Sequence, residues 1–339
     1  MSTDVLSEVL RAVRLTGALF FSIEGSAPWV AEAPEARRVA QQVMPGCEHV
    51  VEYHLVVQGE CWAGLIGEPG AHLLAGDLVV FPQGDAHVIA SDPGMRSPPQ
   101  LEFYRHPSCG QLPVTVSFNG PGTETERAQI VCGFLGCDAR PFNPLLATLP
   151  PMIHVPRRPA PAGAWIEQLV QLAVLETSAR HSGGEAMLAR LSELLFIEVV
   201  RHHLATLSPE TTGWLAGQRD EHIGKSLSAL HDRPAQPWTL EELAREVGLS
   251  RSMLAERFHH YVGVPPMHYL ARWRMQLAAS LLSGSTLNLV EVAERVGYNS
   301  EAGLSRAFKR MVGVAPSAWR EGARPDAAFS APELSVSEA

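Results

Sequence analysis

The spacing of apolar residues changes character twice along the chain. Near the start, Val5, Val9, Ala12 and Val13 fall at helical spacing and predict a short amphipathic helix over residues 5–15. From Leu19 to about residue 120 the pattern breaks into short β-rich runs at 19–23, 51–57, 61–66, 77–81 and 114–118. Clusters of Gly, Pro and Asp at 67–70 and 93–99 cut between them. Many short strands with turn signals between them predict a β-barrel or sandwich. Residues 141–161 hold seven prolines, so they cannot form one regular element. Helical period then returns over 164–205. Trp165, Leu169, Leu172 and Leu175 make one stripe, and Gly183-Gly184 punctuates. Met187, Leu188, Leu191, Leu194, Leu195, Ile197 and Val200 make a second, wider one. Two antiparallel helices fit. The second is apolar over more than half its circumference. It is either a dimer surface or buried inside its own chain.

From Asp220 onward the chain reads as helix throughout. Asp220 is placed to cap a helix carrying Ile223, Leu227 and Leu230, ended by Pro234. Thr239 with Glu242 three residues on is a capping-box pattern. Residues 326–339 are rich in Ala, Ser and Glu, have no period, and are expected to be disordered.

Composition narrows the classes. With 339 residues and 46% hydrophobic content, two domains with real cores are the expectation. No 18-residue uncharged apolar run occurs, which argues against a membrane span. Early acids and internal arginines do not make a secretory signal. Five cysteines are too few for a disulfide scaffold, and a reduced cytoplasmic protein is expected. The net charge of −9 hides an asymmetry. Residues 1–219 carry 14 Arg against 22 acids, residues 220–325 carry 13 Lys and Arg against 11, and the tail adds three acids. The only positively balanced segment is 220–325, which suits a polyanionic partner.

That segment contains a repeat. Residues 242–266 read ELAREVGLSRSMLAERFHHYVGVPP, and residues 291–316 read EVAERVGYNSEAGLSRAFKRMVGVAP. The apolar skeleton matches at Leu243/Val292, Ala244/Ala293, Val247/Val296, Gly248/Gly297, Leu254/Leu304, Phe258/Phe308, Val262/Val312 and Gly263/Gly313. Each half has helix-turn-helix logic. A short helix presents two apolar residues, a small Ala allows close crossing, and Gly248 allows the positive φ of a tight turn. The second helix of the first half then buries Leu254, Phe258 and Val262. Pro265-Pro266 can open a connecting helix over 267–282, about 24 Å long. Such a helix could hold two recognition helices near one DNA turn apart, about 34 Å. Two such units in tandem resemble the DNA-binding domain of AraC/XylS-type transcription regulators.

With Leu254 and Phe258 inward, Ser252, Ala255, Glu256 and His259 face out. With Leu304 and Phe308 inward, Glu301, Ala302, Ser305, Arg306 and Lys309 face out. The resemblance implies base contacts from these positions. Arg306 could pair with guanine, and Glu256 could accept from cytosine N4 or be only a solvated charge. Ser250, Arg251, Ser300 and Lys309 read as phosphate contacts near helix ends.

In the N-terminal part, residues 76–87 read GDLVVFPQGDAH, a strand running into a turn that places His87 on the next strand. This resembles the second motif of cupin barrels. The stretch matching the first motif is Glu52-Tyr53-His54, with Gln58 where a glutamate is usual. In that alignment Glu52, His54 and His87 would point into the barrel. Two histidines and a carboxylate could hold a divalent metal there, or the motif could serve only the turns. His54 and His87 would then mark a ligand site. Cys132 and Cys137 are five apart, wrong for a zinc knuckle, and are either buried structural thiols or redox groups.

The implied fold is α+β: a cupin-like ligand-sensing barrel (1–160), a helical pair that serves dimerisation (161–215), an all-α double helix-turn-helix (216–325), and the tail. The implied function is a sequence-specific DNA-binding transcriptional regulator, not an enzyme. A small effector or metal in the barrel would modulate it. Its expected partners are promoter DNA, RNA polymerase and a second copy of the chain. The alternative is a metal-dependent, dioxygenase-like cupin enzyme fused to a DNA-binding module.

Overall fold

The computed structural model describes residues 4–104, 114–121, 127–157, 168–169, 171–173, 175–176, 181–208 and 210–322. The chain divides into two units that do not follow one boundary in sequence. One consists of Leu15–Cys137 and Leu149–Thr206, the other of Met1–Arg14, Asp138–Thr148 and Leu207–Ala339. Trp165 and the tail after Pro325 lie outside the described residues.

The first unit is built on two sheets. Strands β1 (Thr16–Ser26), β3 (His49–Gln58), β6 (Leu78–Phe81), β8 (Val114–Asn119), β9 (Arg127–Cys137) and β10 (Ile153–Val155) form a six-stranded sheet in the order β10-β6-β3-β9-β1-β8. Strands β2 (Val30–Ala33), β4 (Glu60–Leu65), β5 (Ala71–Leu74) and β7 (His87–Ala90) form a four-stranded sheet in the order β2-β7-β4-β5. Only β1 and β8 pair in parallel; the other described pairs are antiparallel. The inward faces make one core that includes Phe21, Ile23, Val56, Val79, Phe81, Ile89 and Phe134. The five expected strands are all present. The apolar pattern does not mark β2, β5 or β10, nor β9, which pairs with both β1 and β3. From Ile130 to Cys137 every residue of β9 is buried, so the strand shows no alternation to read.

A helix explains the covered outer face of the large sheet. The helix Gly184–Thr206 packs against β1 and also contacts β9 and β10. At Gly17 on β1 an added Cβ would sit 2.3 Å from the Ala189 carbonyl oxygen, so only glycine allows this approach. The Tyr53 hydroxyl on β3 meets Ser192 Oγ of that helix at 2.6 Å. Leu188, Leu191, Leu195, Phe196, Val199 and Val200 are buried there. Burial within the chain therefore accounts for Leu188, Leu191 and Leu195, which the sequence left open as dimer contacts. Ile197 is half-buried, while Met187 and Leu194 remain exposed. Leu172 and Leu175, of the expected partner helix, are exposed as well.

The second unit is helical. Its helices, with those before them, are α1 (Val5–Ala12), α2 (Ala40–Val43, in the first unit), α3 (the Gly184–Thr206 helix), α4 (Trp214–Arg219), α5 (Glu221–Asp232), α6 (Leu240–Val247), α7 (Arg251–Val262), α8 (Pro266–Gly284), α9 (Leu289–Arg295), α10 (Glu301–Val312) and α11 (Pro316–Arg320). The expected caps form. Asp220 accepts from the His222 and Ile223 amides at the start of α5, and Thr239 with Glu242 closes a full capping box on α6. A second capping box, Asn288 with Glu291, starts α9.

Candidate nucleic-acid interface and barrel cavity

Each helix-turn-helix is fixed by local chemistry. Gly248 and Gly297 hold φ of +73° and +79°, the left-handed conformation expected at each turn. Ser250 and Ser300 cap α7 and α10 by accepting from the Met253 and Gly303 amides. On the inner faces Leu243, Ala244, Val247, Leu254 and Phe258 are buried where α6 packs on α7, and Val292, Ala293 and Val296 share one core with Leu304, Phe308 and Val312. Val262 departs from expectation: it is half-buried, whereas its counterpart Val312 is buried.

The outer faces differ between the halves. On α7, Arg251, Ser252, Glu256 and His259 are exposed, and Ala255 is half-buried. Arg257 is exposed but tied to Asp220 by a two-pronged ion pair. Burial alone would raise the Asp220 carboxyl, but this guanidinium and the capping amides outweigh it and hold it below its ordinary value. On α10, Glu301, Ala302, Arg306, Lys309 and Arg310 are exposed, and Ser305 is half-buried. Arg306, Lys309 and Arg310 pair with no carboxylate among the described residues. The second half thus offers more uncommitted positive charge to a polyanion than the first. The Ser300 oxygen already accepts an amide hydrogen as a cap, which leaves its hydroxyl hydrogen to donate outward, whereas the Ser250 hydroxyl also lies 3.3 Å from that of Ser252.

In the first unit the cupin-like motif folds as its glycines suggest. Strand β6 ends at Phe81, the chain turns through Pro82 and Gly84 (φ +69°), and His87 opens β7 fully buried. Glu52 and His54 share one face of β3, and His87 joins them. The three ligand atoms lie within 4.8 Å of one another. Gln58 is exposed at the end of β3 and takes no part. Glu52 and His54 line a cavity of about 50 Å³ together with Phe21, Ile23, Phe118 and Phe134 among others. Cys132 lines the same cavity from β9, while Cys137, an odd number of residues on, faces the other side of that strand.

Burial governs the protonation of this cluster. It pushes the Glu52 carboxyl up to about 8 and His87 down to about 4. His54 is held well below its ordinary value by burial first and by His87 second. Burial thus favours the uncharged form of all three, and at 3.7 Å the contact of His87 with Glu52 is too long for a hydrogen bond. Burial likewise raises the Cys132 thiol well above its ordinary value, which makes it unreactive.

The donor types suit a divalent ion, but their arrangement is that of a hydrogen-bonded chain. His54 Nε2 and His87 Nε2 are 2.7 Å apart. Two nitrogens bound to one tetrahedral ion at 2.0–2.1 Å would be about 3.4 Å apart. A ligating histidine also donates its other N–H to an acceptor. His87 has one in the Asp85 carbonyl, whereas His54 Nδ1 has no partner.

A tandem helix-turn-helix carried by one connecting helix, in the same chain as a β cavity, defines a DNA-binding protein with a second, pocket-bearing unit. Residues 4–205 match the family model described as cupin, and residues 243–322 match the helix-turn-helix domain model. The chain belongs to the AraC-type transcriptional regulators with an N-terminal cupin domain. It is 29% identical over 324 residues to the HTH-type transcriptional regulator AlkR of Acinetobacter baylyi, covering 94% of this chain and 99% of that protein. It is 29% identical over 320 residues to an AraC-like transcription regulator of Streptomyces lividans, covering 94% and 98%. The solved C-terminal domain of AraT, a response regulator from Geobacillus stearothermophilus, is 28% identical and spans 34% of this chain and 96% of its own, with a TM-score of 0.30. No helix among the described residues is long and apolar enough to cross a membrane.

Proposed function

We propose that the regulator's occupancy of DNA is set by a small effector bound in the barrel cavity beside Glu52, His54 and His87. The observation that carries this is a largely apolar cavity holding two buried polar atoms, Glu52 Oε1 and His54 Nδ1, that have no hydrogen-bond partner among the described residues. An effector shifts a regulator only by binding two of its states with different affinity, and an unfilled cavity gives it a place to do so. On the DNA side, Arg306 reads a base from the major groove, with Glu301, Ala302 and Ser305 beside it. Lys309, Arg251, Ser250 and Ser300 hold phosphates, and Ser252, Ala255, Glu256 and His259 make a weaker first reading helix. The regulator works in the cytoplasm, with RNA polymerase as the partner whose access it changes. Homodimerisation through 161–215 draws on the exposed Met187 and Leu194. A metal-dependent cupin enzyme fits less well, since Gln58 is remote and the two histidines bond to each other.

Genome-wide binding of the tagged chain would identify its operators, and a reporter on the strongest one would read the response. Replacing His54 and His87 together by alanine is expected to preserve operator binding and to remove condition-dependent variation of the reporter. Variation that survives the double substitution would overturn the barrel as the sensor.

A further inference from the structure

Resting on the reading of the barrel as a sensor, we propose that its cavity takes a small apolar primary amine, bound as the ammonium ion. Its N–H groups would meet Glu52 and His54, and its body would lie against the phenylalanines.

One chain of hydrogen bonds fixes what the cavity offers. His87 Nδ1 lies 2.8 Å from the carbonyl oxygen of Asp85. A carbonyl can only accept, so His87 carries its hydrogen on Nδ1, and its Nε2 is bare. His54 Nε2 lies 2.7 Å from that bare nitrogen, so His54 must donate there. The hydrogen of His54 is thereby fixed on Nε2, which leaves its Nδ1 a lone-pair acceptor. This Nδ1 is buried without a partner, as is Glu52 Oε1. Tyr104 and Cys132 also line the cavity, but neither makes a hydrogen bond to either atom. No lysine or arginine lines the cavity among the described residues. Among the described residues this polar end carries no positive charge, and a ligand cation can take the place of the proton that burial keeps on Glu52, leaving two acceptors to receive its N–H groups.

Ligand classes separate on that basis. A ketone could accept from a Glu52 carboxyl that keeps its proton but would leave His54 Nδ1 unpaired, and a carboxylate would bring a second buried negative charge with no cation to meet it. An alcohol brings a single donor. A primary ammonium brings three donors and the charge that complements a buried carboxylate. Apart from Glu32, Ser97 and Gln100, the remaining wall is mostly aromatic and aliphatic, with Phe21, Phe118 and Phe134 among the rings available to a cation or to an apolar body. With about 50 Å³ open to the centres of water-sized groups, the ligand must be compact.

The test is calorimetric titration of the purified full chain with benzylamine, benzyl alcohol, toluene and benzoate, four probes of similar shape. Benzylamine is expected to bind at least about tenfold more tightly than benzyl alcohol or toluene, and benzoate not at all. Glu52→Gln should cost benzylamine about tenfold or more while changing toluene by less than about threefold. Glu52→Met, similar in length and uncharged, is the second variant should the first fail to fold, and should bind toluene best. Benzoate, benzyl alcohol or toluene binding as well as benzylamine would overturn the ligand class, as would a benzylamine preference that survives both substitutions. Failure of every probe to bind would overturn it too, as would zinc ion displacing benzylamine through His54 and His87. Toluene binding that alters operator occupancy, with benzylamine no tighter, would leave the sensor reading standing and remove the amine. Tight benzylamine that leaves operator occupancy unchanged would support the amine and remove the sensor.

Discussion

Glu52 is a fully buried carboxyl whose Oε1 has no hydrogen-bond partner among the described residues. In the folded chain its carboxyl ionises near pH 8 because burial disfavours the charge; in the unfolded chain it ionises near the ordinary 4.5. Between those values the folded chain holds a proton that the unfolded chain has released. Rising pH therefore favours unfolding across that window, by at most about 1.4 kcal/mol per pH unit for this one proton. A ligand ammonium would take the place of that proton, one positive charge for another. His87, depressed to about 4, and His54, held well below its ordinary value, contribute a slope of opposite sign below that ordinary value of 6.5. Both histidines are present in the wild type and in Glu52→Gln, so their contribution cancels between the two. Urea denaturation of this pair from pH 5 to pH 8 should show the wild type losing stability relative to the variant. Parallel curves would mean that Glu52 is solvated in the folded protein. The candidate position of Glu52 was legible from sequence, because its parity with His54 along a strand is a matter of counting. The His54–His87 hydrogen bond was not, because the two histidines are 33 residues apart and their ring orientations depend on the turn at Pro82 and Gly84.

At the scale of elements, legibility followed range. Helices whose ends are set by nearby residues were readable: Asp220, Thr239 with Glu242, and Gly248 act within four residues of themselves. Strand β9 was not, since a strand buried on both faces loses the alternation that marks its neighbours. The wide apolar stripe of α3 was visible, but whether another chain or its own would cover it was not. That depended on Gly17, more than 160 residues earlier, letting the helix approach β1. The membership of α1 in the DNA-binding unit was equally hidden. It is held by Gln276 on α8, whose side-chain amide donates to the Ala12 carbonyl at 3.0 Å and accepts from the Phe142 amide at 3.0 Å. Gln276 is completely buried, and an arginine–aspartate pair, Arg14 with Asp138, secures the same two segments. Gln276→Leu keeps the volume and orphans both backbone groups, at about 1–3 kcal/mol each. The variant should unfold at lower urea, with amide hydrogens of α1 exchanging first. An unchanged midpoint would show that water satisfies these groups equally well.

At the scale of the whole molecule, the pairing of the arginines supports a regulator that reads DNA with two helices of unequal strength. The tandem repeat and the local charge balance make two reading helices legible in the sequence alone. Their inequality is not legible there, because it depends on which arginines are already paired. Arg257 is tied to Asp220, 37 residues away, while Arg306, Lys309 and Arg310 have no carboxylate partner among the described residues. The most direct test is selection of duplexes from a random library by the full chain, followed by affinity measurements across salt concentrations for the wild type and Arg306→Ala. The expected site has two elements about one helical turn, roughly 10 base pairs, apart. The element with the stronger preference should contain one position at which Arg306→Ala loses about 1–3 kcal/mol of discrimination. Affinity should fall steeply with salt for both proteins. A site with one undivided element, or a loss on Arg306→Ala spread evenly over every sequence, would contradict two reading helices of unequal strength.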